Sequence, residues 1–324
     1  MSQTDDGRQC EISLPDALDF IVDNRGRSCP VVEDGFPLIA TNCVKKDRRD
    51  VVFANLRYVD EDTRANWFRA HPVPGDILFV CKGSPGRMAV VPDPVPYCIA
   101  QDMVALRANE SLVNGLYLYY RLSAPDAQER IRNMHVGTLI PHFKKGDFGR
   151  LRFNIYNDLA EQSRIAATLG ALDDLIDGNR RTSEDLRALA AALYVRAASA
   201  SQEFVRLGDV ASVNATKTKP SVGSVRYLDI ASIGNGSIQW PEPIDWQAAP
   251  SRARLKAKSG STLWSTVRPN RLAHAFVVEA PDDLVVSTGI AVLTPTDIGS
   301  AHLFAASEQP FFVEQLIELA DGSA

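Results

Sequence analysis

The chain has 324 residues, 45% of them apolar and 23% charged, with a formal net charge of −5. These are ordinary values for a folded protein; the charge argues mildly against a surface coated in nucleic acid without excluding DNA binding, which depends on where the charges sit. No run of about eighteen apolar residues occurs, so no membrane span is expected, and the polar, acidic start MSQTDDGRQC lacks the apolar core of a secretion signal.

Length sets an expectation of two domains. The five cysteines (Cys10, Cys29, Cys43, Cys81, Cys98) form no C-x-x-C pair. Neither a disulfide framework nor a metal site is therefore expected, and a cytoplasmic protein is the simple reading. Residues 1–155 read as mixed α and β. Phe36-Pro37-Leu38-Ile39-Ala40 suits a strand, and the basic loop Lys45-Lys46-Asp47-Arg48-Arg49 follows. Residues 75–92 read as a hairpin, with strands at 77–80 and 88–91 around the turn Lys82-Gly83-Ser84-Pro85-Gly86-Arg87. Residues 99–106 read as one further strand. Residues 112–122 and 128–134 carry helical spacing, and 151–155 a short strand.

Residues 158–198 carry the strongest pattern. Ile165, Leu169, Leu172, Ile176, Leu186 and Leu193 mark a heptad seam with polar interruptions at Asn179 and Ser183, and Leu189 extends the same apolar stripe. Asp158 and Glu161 resemble a capping box, and a kink is expected near Gly178. Residues 203–324 then repeat the order of the first part. Residues 207–209 parallel 14–16, 225–230 parallel 36–40, 259–270 parallel the hairpin, 285–293 parallel 98–106, and 311–319 parallel 112–122. The offset is roughly 185 to 193 residues, which signals duplication. The expected fold is α+β: two related mixed α/β domains, 1–155 and 203–324, separated by a long heptad-patterned helix in 156–202.

The residues that stand out are basic. Lys45, Lys46, Arg48 and Arg49 are either a solvated loop or phosphate contacts. Lys82 and Arg87 straddle a turn whose glycines allow close backbone approach, or they decorate an ordinary hairpin tip. Arg268, Asn270 and Arg271 occupy the same hairpin in the second copy. Lys144 and Lys145 precede the long helix. These eleven positions are the candidate DNA contacts. The stripe Ile165, Leu169, Leu172, Ile176, Leu186, Leu189 and Leu193 is the candidate packing face, within the chain or between chains.

Four segments carry a family resemblance: LAEQSRI (159–165) with LDDLI (172–176); Gly75-Asp76-Ile77-Leu78 with the turn 82–87; VSTGIAVL (286–293); and GTLIP (137–141) with Lys144-Lys145. In their order around a duplicated architecture, they resemble the specificity (S) subunits of type I restriction–modification systems. The resemblance implies two target recognition domains, each reading half of a bipartite DNA site, with the helix setting their spacing. It also implies partners: double-stranded DNA, methyltransferase subunits and, through them, the restriction subunit. It implies no cofactor. Against the family pattern, the end of the second recognition domain and a second conserved helix are expected to be missing. That leaves a truncated interaction subunit or a half-specificity cassette, or a homodimer through the central helix, as alternatives. The sequence has no N-P-P-Y or D-P-P-Y tetrapeptide for an extruded adenine, no glycine-rich S-adenosylmethionine loop and no G-x-x-x-x-G-K-[ST] cradle, so no catalysis by the chain itself is expected.

Overall fold

The computed structural model describes residues 7–24, 28–134, 141–199, 204–219 and 221–320. Residues 137–140 of the GTLIP motif, the segment 200–203 and the terminal stretch 321–324 lie outside the described residues. The structure is α+β and divides into two compact units, Met1–Arg181 and Thr182–Ala324.

The first unit runs β1 (Gln9–Ser13), β2 (Leu18–Val22), β3 (Phe36–Ile39), β4 (Arg57–Val59), α1 (Glu61–Asn66), β5 (Ile77–Val80), β6 (Met88–Val90), β7 (Cys98–Ile99), β8 (Met103–Ala108), α2 (Gly115–Ser123), α3 (Pro125–Met134) and β9 (Arg152–Tyr156). The long helix α4 (Leu159–Ala198) follows. One sheet has the order β2-β8-β5-β6, a second β4-β3-β7, and β1 pairs with β9. Strand β5 lies between two cores: Ile77 and Phe79 join the cluster containing Tyr117 and Leu118 of α2, while Leu78 and Val80 join the cluster containing Ile39 and Tyr97. An unbroken apolar run is what a strand buried on both faces requires. The segment 99–106, expected as one strand, is two. It breaks at Asp102, whose φ is +74°, and β7 and β8 belong to different sheets.

The Gly75-Asp76 pair is a turn device. Gly75 has φ +85°. Asp76 is 1% exposed; its carboxylate accepts from the Val73 amide at 2.9 Å and from the Arg107 guanidinium at 3.0 and 3.1 Å.

Helix α4 is one helix of 40 residues and runs without a break through Gly178. Asp158 caps it by accepting from the Ala160 amide at 2.9 Å, but Glu161 pairs with Arg164 rather than completing a capping box. The helix docks on the first unit through Gln162, Ala166 and Gly170, which are buried at four-residue spacing. The Gln162 amide donates to the carbonyls of Leu112 at 3.1 Å and Tyr156 at 2.7 Å, and its oxygen accepts from the Asn114 amide at 2.8 Å. A Cβ at Gly170 would lie 3.3 Å from Leu116, so the small residue permits close approach. The heptad seam does not face this core. Ile165 is half-buried against it, whereas Leu172 is 53%, Leu186 60% and Leu189 55% exposed; Leu169, Ile176 and Leu193 are exposed as well.

The second unit contains α5 (Leu207–Val210), β10 (Ala211–Val213), β11 (Ser224–Leu228), β12 (Ile244–Asp245), β13 (Ala253–Leu255), β14 (Thr262–Ser265), β15 (His274–Phe276), β16 (Leu284–Ser287), β17 (Ile290–Pro295), α6 (Ser300–Ser307) and α7 (Pro310–Ala320). Its sheets have the orders β10-β17-β14-β15 and β12-β11-β16-β13. The first repeats β2-β8-β5-β6 strand for strand. In the second, β11 runs parallel to β16 as β3 does to β7. Helices α6 and α7 follow β17 as α2 and α3 follow β8, so the counterpart of α2 is α6 at residue 300 rather than the expected 311–319. Arg187 of α4 fastens the helix to this unit by donating to the Asn235 carbonyl at 3.0 Å. Among the described residues no helix is long and apolar enough to cross a membrane.

Candidate nucleic-acid interface

The hairpin tip of the first unit is held rigidly. Gly83 and Gly86 both have positive φ, +83° and +87°. The Gly83 amide donates to the Pro141 carbonyl at 2.9 Å, and the Phe143 amide to the Cys81 carbonyl at 2.8 Å, so the segment after α3 braces one side of the turn. Gln128 of α3 braces the other, donating to the Gly86 carbonyl at 3.0 Å and the Leu122 carbonyl at 2.8 Å. A Cβ on Gly86 would lie 3.0 Å from Gln128 and Ile131, which explains the glycine there.

Between this turn, helices α2 and α3 and the basic loop lies an open groove of about 360 Å³. Its cationic side chains are Lys46, Arg87 and Arg132; Tyr119, Ser123 and Gln128 supply polar and aromatic wall, and among the described residues no carboxylate lines it. Three cations around one depression without a counter-charge suit a phosphate backbone. Arg132 is not among the positions that stand out in the sequence. Its signal there is the four-residue spacing to Gln128, which puts both on one face of α3.

The remaining candidates separate. Arg49 is a structural residue: its guanidinium donates to Asp174 of α4 at 2.6 Å with the side chain 18% exposed. Burial opposes its charge, but the bond to Asp174 overrides that and raises its pKa. Asp47 and Asp50 of the same loop pair with Arg180 and Arg181 of α4 at 3.3 and 3.7 Å. The basic loop is thus clasped to the helix, and Lys46 is the member that reaches the groove. Lys45 is half-buried. Arg48 lines a different pocket. Lys82 is half-buried in a backbone bridge to His142. Lys144 is exposed, and Lys145 pairs with Asp23.

In the second unit Arg268, Asn270 and Arg271 are all exposed at the hairpin tip. Arg271 lines a depression of about 560 Å³ together with Arg252, Tyr227 and Asp229. The two hairpins therefore each set an arginine at the edge of a concavity, although the second concavity also contains a carboxylate.

Residues 48–188 match the family described as the type I restriction modification DNA specificity domain. No curated relative matches the chain. The fold is similar to the S subunit of a type I restriction–modification system from M. genitalium, at a TM-score of 0.61 and 14% identity, over 100% of this chain and 82% of that one. Weaker similarity, at a TM-score of 0.42 and 15% identity, extends to the HsdS subunit from Thermoanaerobacter tengcongensis over 99% of this chain and 91% of that one.

Proposed function

We propose that this chain, whose residues 48–188 match the family described as the type I restriction modification DNA specificity domain, acts as a DNA sequence-specificity subunit, and that the groove beside the first hairpin is where the DNA backbone docks. The observation that carries this reading is the set Lys46, Arg87 and Arg132 around a rigid glycine turn with no lining carboxylate among the described residues. The second hairpin, with Arg252 and Arg271, addresses the other half of a bipartite target. Helix α4 acts as the spacer. Its 40 residues amount to about 60 Å of helix, and insertion of four residues beside Gly178 changes the preferred gap between half-sites.

The exposed stripe of α4 supports a second part of the proposal. Leu172, Leu175, Ile176, Leu186 and Leu189 are apolar side chains that the chain itself leaves exposed. Their occupant is a methyltransferase subunit, which brings the restriction subunit with it. The chain supplies no catalytic group to the reaction and works in the cytoplasm, where those partners and the DNA meet.

The test is the salt dependence of duplex binding, with methyltransferase subunits present and absent. Alanine at Lys46, Arg87 and Arg132 lowers the slope of log K against log salt by about 0.9 for each phosphate that is no longer neutralised. An unchanged slope removes the groove from the interface. Binding that is absent without methyltransferase and unaffected by these variants in its presence favours a pure interaction subunit.

A further inference from the structure

We propose that a second, separate pocket of the first unit, walled by Phe53 and Tyr97, binds one nucleobase with its phosphate at the rim. The pocket measures about 260 Å³ and lies wholly within that unit. Val90 and two prolines, Pro92 and Pro96, give it apolar walls. Phe53 stands 51% exposed at its mouth, its ring edge-to-face with Tyr97 at 6.2 Å. An exposed aromatic face over an apolar floor is a stacking platform that any base can use.

The feature that asks for a ligand is the Tyr97 hydroxyl. Tyr97 is 2% exposed, and among the described residues no group hydrogen-bonds its oxygen. Buried hydroxyls ordinarily have a partner. Burial, reinforced by the Asp50 carboxylate, raises the phenol's pKa, so it stays a neutral donor. Asp50 and Asp177 line the same pocket as acceptors. A donor beside acceptors complements a base edge that sets an acceptor next to an N–H, which adenine, cytosine and thymine all present, so the preference among bases comes from stacking area. Arg181 sits 3.7 Å from Asp50, a loose pair that leaves guanidinium donors for a phosphate at the pocket.

The pocket neighbours the basic groove. Met88 of β6 lines the groove and Val90 of the same strand lines the pocket; Lys46 and Arg48 divide in the same way. A base displaced from DNA lying in the groove is one source of ligand, and a free mononucleotide is the other. Only the first source rests on the DNA-docking reading.

The experiment has two arms on the full chain. In one, adenosine 5′-monophosphate, thymidine 5′-monophosphate and inorganic phosphate are titrated calorimetrically. In the other, fluorescence is followed for a duplex with 2-aminopurine opposite an abasic site. Phe53→Ala, at an exposed ring, weakens binding about tenfold. Tyr97→Phe keeps the packing and weakens adenosine monophosphate about threefold with an unchanged thermal midpoint. Adenosine monophosphate binds about fivefold tighter than thymidine monophosphate because the larger purine stacks better on Phe53. A Phe53-dependent signal in the duplex arm alone assigns the pocket to a base from DNA; one with the mononucleotide alone assigns it to a free ligand. If the duplex is not bound at all, the groove reading fails while the mononucleotide arm still decides the pocket. Signals in both arms that ignore Phe53→Ala and Tyr97→Phe, or no signal in either, overturn the proposal.

Discussion

The same turn is built twice with different chemistry. In the first unit Gly75, at φ +85°, precedes Asp76, which accepts from the Val73 amide and pairs with Arg107. In the second unit Gly260, at φ +84°, precedes Ser261, whose hydroxyl accepts from the Lys258 amide at 3.1 Å and meets Thr294 Oγ1 at 3.2 Å. Both side chains are buried, at 1% and 0% exposure. The backbone requirement is identical: an amide at the turn needs an acceptor three residues on. One copy meets it with a charge and a counter-charge, the other with two neutral hydroxyls. Helix α4 shows a similar contrast. The first unit holds it through the buried amide of Gln162, the second through the half-exposed guanidinium of Arg187. A duplicated scaffold thus keeps its hydrogen-bond geometry while its charges diverge.

The helix anchors test this contrast most severely. Gln162→Leu leaves two carbonyls and one amide of the first unit without their partner. At roughly 1 to 3 kcal/mol for each orphaned group, the expected loss is about 5 kcal/mol. Chemical denaturation should show it confined to the first unit's transition. A loss below that of Arg187→Ala would mean the buried amide is not the stronger anchor.

Exchanging the turn chemistry comes next. Ser261→Asp buries a carboxylate opposite Thr294 with no counter-charge, and about 4 kcal/mol of destabilisation is expected. Adding Thr294→Arg recreates the Asp76–Arg107 pairing and should restore a large part of it. If the double variant is no more stable than the single one, the two turns are not interchangeable in geometry. The corresponding deletions should differ in size. Asp76→Ala orphans the Val73 amide and strands the partly solvated Arg107, for about 3 kcal/mol. Ser261→Ala removes only neutral bonds, for about 1 kcal/mol. Equal losses in urea titrations would erase the distinction between charged and neutral solutions.

Much of this architecture is legible in the sequence because it depends on periodicity and order. The hairpin, the duplication and the extent of α4 all follow from apolar spacing and turn residues. What the pattern leaves open shares a cause. A stripe of leucines marks an apolar face but does not say which face docks. On α4 the docking positions are Gln162, Ala166 and Gly170, suited to close approach and hydrogen bonding, while Leu172 and Leu186 stay outside. The run 99–106 reads as one strand because apolar residues flank the short polar pair Gln101-Asp102 on both sides, and the positive φ at Asp102 is what turns the chain into a different sheet. The loop 45–49 reads as largely basic, yet Asp47 and Arg49 are used internally against Arg180 and Asp174. That leaves Lys46 facing the groove, with Arg132 supplied from a helix that composition does not mark out.

The smallest expected effect concerns how far the first unit's charged solutions extend beyond the turn. Asp126 accepts from Arg121 at 2.6 and 2.9 Å, and this hydrogen bond holds its carboxyl below the ordinary value of 3.8. A pKa depressed on folding adds stability that is present above that ordinary value and is lost as pH falls through the lower folded one. The carboxylate is 53% exposed, so solvent screening keeps the contribution below about 0.5 kcal/mol. Asp16 and Asp60 are depressed in the same direction by hydrogen bonds from Ser13 and Thr63. The first unit should therefore lose stability as pH falls through 3.8 and on through the lower folded values, by the sum of small increments of this kind, and Asp126→Asn should flatten that dependence slightly while leaving neutral-pH stability almost unchanged. An identical acid limb in the variant would show that the Arg121 pair is only a surface contact, and that the charged chemistry of this unit is concentrated at Asp76.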